Sequence, residues 1–159
     1  MQATARRLDL LEQIKDDFSD QFTFKRGSVF SWSSSDETIY YSTAKSVADN
    51  AVFSLLHELG HALLGHKQYN DDLELLMMEV AAWKQAKILA DQYHLVIDEH
   101  HIQDCLDSYR DWLHQRSRCV ECATHSLQID EVTYECYNCG TSWQVPASRM
   151  CVVRKKRLK

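Results

Sequence analysis

Residues 52–66 read Val-Phe-Ser-Leu-Leu-His-Glu-Leu-Gly-His-Ala-Leu-Leu-Gly-His, and this stretch decides how the rest of the chain is interpreted. It places the pattern His-Glu-x-x-His inside a run of apolar residues that predicts a helix. Side chains four positions apart lie on the same face of a helix, so His57 and His61 can bind one ion. Two imidazoles with this spacing supply half of a tetrahedral zinc site.

Glu58 projects from the same predicted helix about 100° away from His57 around the axis. From there its carboxylate can take a proton from a water molecule beside the metal without binding the metal itself. Apolar residues surround the motif, so the helix is expected to be buried, and buried imidazole or carboxylate groups are unfavourable without partners. The motif therefore predicts zinc on His57 and His61, with Glu58 as general base.

A catalytic zinc needs a third protein ligand and an open position for water. The candidates after the motif are His66, Asp71, Asp72, Glu74, Glu79, Asp91 and His94. Glu79 stands out because its neighbours on the predicted helix are apolar, and a buried carboxylate is rare unless it is paired or bound to metal. We predict Glu79 as the third ligand, with an ion pair or a hydrogen bond to a ligating histidine as the alternatives. His66 follows Gly65 and is predicted to be a surface or capping histidine.

Periodicity and turn signals predict an α+β fold that is mainly helical, with a small antiparallel sheet. The low counts of glycine (4) and proline (1) also favour helix. Ser42 or Thr43 is the expected N-cap of the motif helix, and Gly65 is its expected stop. Helices are expected at residues 4–18, 42–64, 73–93 and 97–115, and strands at 22–24, 28–32 and 38–41. The first domain is expected to cover residues 1–116.

Two Cys-x-x-Cys pairs follow, formed by Cys119 with Cys122 and by Cys136 with Cys139. This pattern is typical of a closed four-thiolate zinc site, and the glycine after the second pair permits a tight turn. So short a segment has little core of its own, so the metal is expected to supply much of its folding free energy. We predict a structural zinc ribbon at residues 117–148. Redox use of the cysteine pairs is the alternative.

The net charge of −5 is unevenly distributed. Residues 149–159 hold six of the 18 basic residues and no acidic one, which leaves 12 basic and 23 acidic residues elsewhere. Such an acidic body is a poor general nucleic-acid binder. We expect the basic tail at 149–159 to be solvated and disordered. The ribbon is expected either to be a rigid cap or to bind a protein or nucleic-acid partner with the tail, using Tyr134, Tyr137 and Trp143.

The location of the protein is predicted from what its sequence contains. Residues 1–20 are polar and charged, and no apolar run approaches the roughly 20 residues that a membrane span needs. Paired cysteines with metal-binding spacing indicate a reducing compartment. We therefore expect a cytoplasmic protein that does not contact a membrane.

Two segments together carry a family resemblance. The sequence LLHELGHALLGH at Leu55–His66, followed by MEVAAWKQA at residues 78–86, resembles the ImmA/IrrE family of gluzincin-type metallopeptidases. The resemblance covers about residues 5–93 and implies a zincin-like domain. The interval before the glutamate is shorter than usual, and a cysteine-rich segment replaces the usual C-terminal part. The implied zinc ligands are His57, His61 and Glu79, and the implied base is Glu58.

SprT-like metalloproteases are the second family considered. They also join His-Glu-x-x-His to a cysteine-rich zinc segment, but their third ligand is a histidine on the next helix. This chain has Glu79 on that helix, and the nearest histidine, His94, lies just past its predicted end. The sequence is therefore less similar to SprT-like proteases than to the ImmA/IrrE family.

Taken together, these patterns predict a zinc endopeptidase that hydrolyses a protein or peptide substrate, with one catalytic and one structural zinc ion. The substrate is expected to lie extended along the strand around Ile39 to Tyr41. The group that stabilises the oxyanion is left open among Tyr40, Tyr41, Tyr69 and His94. The alternative is a non-proteolytic zincin-fold module that binds or regulates a partner. Glu58 favours the enzyme, because a purely structural site needs no base beside the metal.

Overall fold

A computed structural model describes residues 2–43, 50–147 and 152–158. Within this part of the chain the fold is α+β, with four helices and two small sheets. The helices are α1 (Gln2–Asp17), α2 (Ala51–Leu63), α3 (Asp72–Gln92) and α4 (Glu99–Ser117). The strands are β1 (Thr23–Arg26), β2 (Ser31–Ser33), β3 (Thr38–Tyr41), β4 (Leu127–Gln128), β5 (Thr133–Glu135), β6 (Ser142–Gln144) and β7 (Lys156–Arg157).

The chain folds into two compact units. The first comprises Met1–Lys67 and Met78–Asp98, and the second comprises Gln68–Met77 and Glu99–Lys159. The predicted domain boundary is at residue 116, whereas in the structure α4 belongs to the same unit as the cysteine-rich segment.

Helix α2 lies at the centre of the first unit, where it packs against α1 and against β2 and β3. Its apolar residues recur at helical spacing, so one broad face is buried. The buried residues of α2 are Ala51, Val52, Leu55, Leu56, His57, Leu59, Gly60, His61 and Ala62. The helix begins later than predicted, because Asn50 is its N-cap and has a non-helical backbone with φ −111° and ψ 6°. Residues 44–49, which the predicted helix included, lie outside the described residues.

The sheet of the first unit has the strand order β1-β3-β2. The predicted antiparallel pairing is correct for β2 and β3, but β1 pairs with β3 in parallel. Strand β3 takes the central position because its Thr38 and Ile39 are buried, whereas β1 is mostly exposed. The strand around Ile39 to Tyr41 is therefore paired on both sides. The expectation that a peptide adds to it is wrong, since only an edge strand has free backbone groups for pairing.

The second unit contains an antiparallel sheet with the strand order β4-β5-β6-β7. Its first hairpin turns at Asp130, whose carboxylate accepts hydrogen bonds from the N–H groups of Val132 and Thr133 at 3.0 and 2.8 Å. This hairpin lies between the two cysteine pairs. The small core of the ribbon is formed by Cys119, Tyr134, Cys136, Trp143 and Val145.

The basic tail is ordered over residues 152–158, contrary to the prediction. Lys156 and Arg157 form β7, which pairs with β6. Val153 packs on the ribbon core, and this apolar contact holds the segment against the sheet. Arg157 forms an ion pair of 2.7 Å with Glu121. Residues 148–151, which include Cys151, and residue 159 lie outside the described residues.

No helix described within residues 2–43, 50–147 and 152–158 combines the length and the apolar character of a membrane span.

Candidate metal centres

The first candidate centre is formed by His57 and His61 of α2 and by Glu79 of α3. Nε2 of His57 lies 3.1 Å from Oε2 of Glu79 and 3.2 Å from Nε2 of His61. Nε2 of His61 lies 3.5 Å from Oε1 of Glu79. The structure thus brings the three predicted ligands together, and all three residues are buried.

These distances fit one ion bound among the three side chains. With metal–ligand bonds of about 2.0–2.2 Å, neighbouring ligand atoms of a tetrahedral site are about 3.4 Å apart. The three measured separations, 3.1, 3.2 and 3.5 Å, lie close to that value. Two imidazoles and one carboxylate are a donor set found in catalytic zinc sites, in which the fourth position stays open. The centre can therefore hold a metal ion.

Glu79 is the buried carboxylate of this centre, with only 2% of the residue exposed. Burial alone would raise the pKa of the Glu79 carboxyl, but hydrogen bonds and charge from His57 and His61 lower it well below its ordinary value. Glu79 therefore stays ionised at neutral pH, and an ionised carboxylate is the form that binds a metal ion.

The two histidine rings are held in different ways. The ring of His57 stacks on Trp83 with centroids 4.3 Å apart. Its Nδ1 is buried and has no hydrogen-bond partner among the described residues. Nδ1 of His61, in contrast, lies 2.9 Å from Nδ1 of His66. Within the described part of the chain, a polar side chain therefore supports His61 from behind, but not His57.

His66 reaches His61 because the chain turns back after α2. Gly65 has a left-handed backbone with φ 64°, which glycine adopts without strain. The N–H of His66 donates to the carbonyl of His61, and the N–H of Gly65 donates to that of Ala62, both at 3.0 Å. This is the Schellman motif, which confirms Gly65 as the helix stop. His66 is half-buried against His61 rather than at the surface, a contact that spacing along a straight helix does not predict.

The environment of His66 affects its protonation. Burial lowers the pKa of His66, and the charge of the nearby His61 lowers it further. The lowered pKa favours the neutral ring at neutral pH.

Glu58 also lies on α2 but does not belong to the group of three ligands. Its Oε2 accepts a hydrogen bond of 2.7 Å from the backbone N–H of Trp32 in β2. The indole N–H of Trp32 donates to the carbonyl oxygen of His66 at 2.8 Å. Trp32 therefore connects β2 to both the Glu58 carboxylate and the end of α2.

The other candidate third ligands lie elsewhere. Asp71 accepts a hydrogen bond of 2.8 Å from the N–H of Glu74 at the start of α3, which is an N-capping contact. Glu74 in turn accepts a hydrogen bond from the N–H of Asn70 at 2.7 Å. Asp91 and His94 are exposed. None of these residues joins the described group formed by the two histidines and the glutamate.

The contacts of Tyr40 and Tyr41, two candidates for oxyanion stabilisation, are with residues outside the group of three ligands. The Tyr40 hydroxyl donates to Asp36 at 3.2 Å, and Nζ of Lys15 lies 4.0 Å from the centre of the Tyr41 ring. Tyr69 belongs to the second unit. The structure assigns this role to none of them.

The second candidate centre is the cluster of four cysteines in the ribbon. The Sγ atoms of Cys119 and Cys139 are 3.7 Å apart, and those of Cys122 and Cys136 are 3.5 Å apart. Neighbouring sulfur atoms around a tetrahedral zinc ion are about 3.8 Å apart, given bonds of about 2.3 Å. None of the described cysteines forms a disulfide. The four thiols are therefore placed to hold one metal ion.

Contacts around two of these thiols favour their thiolate form. A hydrogen bond from Asn138, together with contacts to Thr124, lowers the pKa of Cys122 to about 5. A contact with Ser126 lowers the pKa of Cys136. Because the thiolate is the form that binds metal, these contacts favour metal uptake at neutral pH.

A buried ion pair supports the second unit, and the sequence did not reveal it. Arg116 of α4 donates through Nε to the Asp72 carboxylate at 2.5 Å, and the Tyr134 hydroxyl donates to the same oxygen at 2.5 Å. Nη1 of Arg116 donates to the carbonyl of Pro146 at 2.6 Å, and the Trp143 indole donates to the carbonyl of Arg116 at 2.9 Å. Asp72, one of the candidate third ligands, instead binds Arg116 and Tyr134. This network joins α4 and the first turn of α3 to the ribbon strands.

The resemblance to ImmA/IrrE-type metallopeptidases stays a prediction. No protein-family model, curated protein or solved structure matches this chain.

Proposed function

We propose that the protein is a zinc-dependent metallopeptidase that hydrolyses peptide bonds in a protein substrate. The observation that carries the proposal is the convergence of His57, His61 and Glu79, with Glu58 next to His57 in the sequence of α2. Three ligands leave a position for water, and Glu58 supplies a carboxylate that a structural site does not require. A zincin-like domain of the ImmA/IrrE type is part of the same proposal.

The residues of the chain have separate roles in the proposed reaction. His57, His61 and Glu79 hold the zinc ion, which when bound polarises the scissile carbonyl and acidifies water. Glu58 takes a proton from water and delivers it to the leaving nitrogen. In the chain without substrate, the backbone N–H of Trp32 holds the Glu58 carboxylate through the 2.7 Å hydrogen bond.

The substrate is proposed to lie along β2 rather than along β3. Strand β2 is at an edge of its sheet, and its Trp32 amide contacts Glu58. A peptide that added to this edge would compete with Glu58 for the Trp32 N–H. Binding of the peptide would then release the Glu58 carboxylate from this amide, so that it can accept a proton from water.

The four cysteines are proposed to hold a structural zinc ion, because a closed four-thiolate site leaves no position for a substrate. Such a site also fits a reducing compartment, which supports a cytoplasmic location. A protein or nucleic-acid partner of the ribbon stays a prediction. Tyr134 and Trp143 are buried in the ribbon core, so of the three aromatic residues considered for docking only Tyr137 is exposed.

The test compares Glu58→Gln with Glu79→Gln, and uses Asp91→Asn, an exposed position on α3, as the control. Zinc content is measured by elemental analysis, and cleavage is measured on a broad peptide library. Wild type, Glu58→Gln and Asp91→Asn should each hold two zinc ions, and Glu79→Gln should hold one. Glu58→Gln should lose cleavage about 10²- to 10⁴-fold. A wild-type protein that holds two zinc ions and cleaves nothing would favour the non-proteolytic module instead.

A further inference from the structure

We propose that His66 is a positioning residue of the first metal centre. Its Nδ1 accepts a hydrogen bond from Nδ1 of His61 and thereby selects the form of His61 that presents Nε2 to the metal. This inference rests on the metal site of the proposed function and extends it to a residue outside the ligand set.

The hydrogen positions follow from the arrangement of the atoms. Nε2 of His61 faces Nε2 of His57 and the Glu79 carboxylate, at 3.2 and 3.5 Å. To bind a metal there, Nε2 must carry no proton, so the proton of the neutral His61 ring is on Nδ1. Nδ1 of His61 lies 2.9 Å from Nδ1 of His66, which must then be the acceptor. His66 therefore carries its own proton on Nε2.

The position of His66 is fixed independently of its ring. Its N–H is bound by the carbonyl of His61 in the Schellman motif, and its own carbonyl accepts the indole N–H of Trp32. A histidine held at both backbone groups has only its two side-chain torsions left to order when its ring contacts His61. Partners of this kind that orient a ligating histidine typically change metal affinity about 10- to 100-fold when they are removed.

Two substitutions separate a hydrogen-bond acceptor from a packing group. His66→Phe keeps a ring against His61, where the two ring centres are now 4.9 Å apart, but removes the acceptor. His66→Asn removes the ring but keeps an acceptor oxygen near the place of Nδ1. If His66 positions His61, the Phe variant should bind the zinc ion about 10- to 100-fold more weakly, and the Asn variant should stay within about threefold of wild type. A packing role predicts the reverse order.

Zinc affinity is measured on the full chain by competition with a chromophoric chelator. Cobalt substitution separates the centres, because only the cysteine site gives thiolate-to-cobalt absorption bands. Those bands should be the same in all variants. The control is His94→Asn, an exposed histidine with φ 55°, a backbone that asparagine tolerates. It should leave the affinity unchanged.

Nitrogen-15 NMR of the zinc-loaded protein provides the second readout. His61 should carry its proton on Nδ1 in wild type and in His66→Asn, and its Nδ1–H should lose the hydrogen-bond signature in His66→Phe. If His66→Phe does not fold, His66→Ala replaces it.

The outcomes distinguish the two proposals. A wild-type chain that binds metal only at the cysteines would overturn the proposed function together with this inference. If the wild-type chain binds two ions and His66→Phe binds zinc at the histidine–glutamate centre as tightly as wild type does, the role of His66 is overturned. The proposed function would then be unaffected.

Discussion

A methyl group placed on Gly60 of α2 would lie 2.5 Å from the carbonyl oxygen of Ala82 in α3. Real Cβ contacts are essentially never so short, and a backbone oxygen cannot rotate away. Gly60 precedes the ligand His61, and Ala82 lies one turn after Glu79. This close approach of the two backbones therefore sets the spacing of the helices at the metal centre.

Substitution of Gly60 by alanine should destabilise the first unit and weaken its metal site. Alanine is a better helix former than glycine by about 1 kcal/mol, but the clash should produce a net loss of about 1–3 kcal/mol. The measurements are urea unfolding in the presence of chelator and zinc stoichiometry. Ser54→Ala on the same helix is the control and should not lower stability. An equal or higher unfolding midpoint for Gly60→Ala would show that the helices can separate without penalty.

Removal of metal should unfold the ribbon. The described ribbon core has five buried residues, two of which are the cysteines Cys119 and Cys136, so metal binding supplies much of its folding free energy. Amide hydrogen exchange across the ribbon strands should accelerate in chelator. Cys136→Ser should reproduce this loss at saturating zinc, whereas Cys105→Ser, outside the cluster, should not. Protection that survives chelation would mean that apolar packing alone holds the ribbon.

The turn that follows Cys119 and Cys122 contains a residue with a strained backbone, Ala123, and glycine at this position should remove the strain. Ala123 has φ 61° and Gly140 has φ 71° at the equivalent place in the second turn. Their N–H groups donate to the carbonyls of Cys119 and Cys136. Because a left-handed backbone is unfavourable for alanine, Ala123→Gly should stabilise the zinc-bound ribbon by about 1 kcal/mol, and Gly140→Ala should destabilise it by a similar amount. Thermal unfolding at fixed zinc concentration measures both, and a destabilised Ala123→Gly would contradict the expectation.

The buried pair of Arg116 and Asp72 should matter far more than an exposed pair on the same helix. Side chains of both residues are 2% exposed. Arg116→Met leaves the carboxylate buried without its cation, which should reduce the free energy of unfolding by about 3–5 kcal/mol. Denaturant unfolding at saturating zinc is the measurement.

The matched control for this substitution is Arg110→Met. Arg110 pairs with Asp107 at 2.7 Å, but both side chains are well exposed. Arg110→Met should reduce the free energy of unfolding by less than about 1 kcal/mol, because water screens exposed ion pairs. Equal effects of the two arginine substitutions would mean that burial adds nothing to the Arg116 contact.

The titration of Tyr93 should depend on Asp17. The Tyr93 hydroxyl donates to the Asp17 carboxylate at 2.9 Å, and burial together with this contact raises the pKa of Tyr93 from 10.0 to about 12. Since the folded pKa is the higher one, this contribution to stability is complete below pH 10 and is lost as pH rises from 10 to about 12. Ultraviolet titration of tyrosinate should show that the pKa of one tyrosine falls part of the way back toward 10 in Asp17→Asn. The neighbouring Asp16→Asn is the control, and identical curves for Asp17→Asn and wild type would rule the contact out.

Much of the candidate site could be predicted from local spacing. His57 and His61 are one helical turn apart, and each pair of cysteines lies within a single turn, so their proximity requires no knowledge of the rest of the fold. Glu79 could be predicted because a carboxylate among apolar helix neighbours needs a partner. Its partners were found on a different helix, where the structure brings the three groups within bonding distance of one ion.

Other features depend on contacts between distant parts of the chain. Strand β1 pairs in parallel with β3, and β7 pairs with β6. Both pairings depend on which segments the folded backbone places side by side. Asp72 looks like a loop residue until Arg116 and Tyr134 are placed beside it.

The sequence by itself determined which residues can bind metal, because ligand chemistry and helical spacing are local properties. Only the tertiary structure decided what surrounds them. His66 became a partner of His61 through the turn at Gly65, and Glu58 became a partner of Trp32 through the approach of β2 to α2. Such contacts depend on the path of the backbone in space, which no short stretch of sequence specifies.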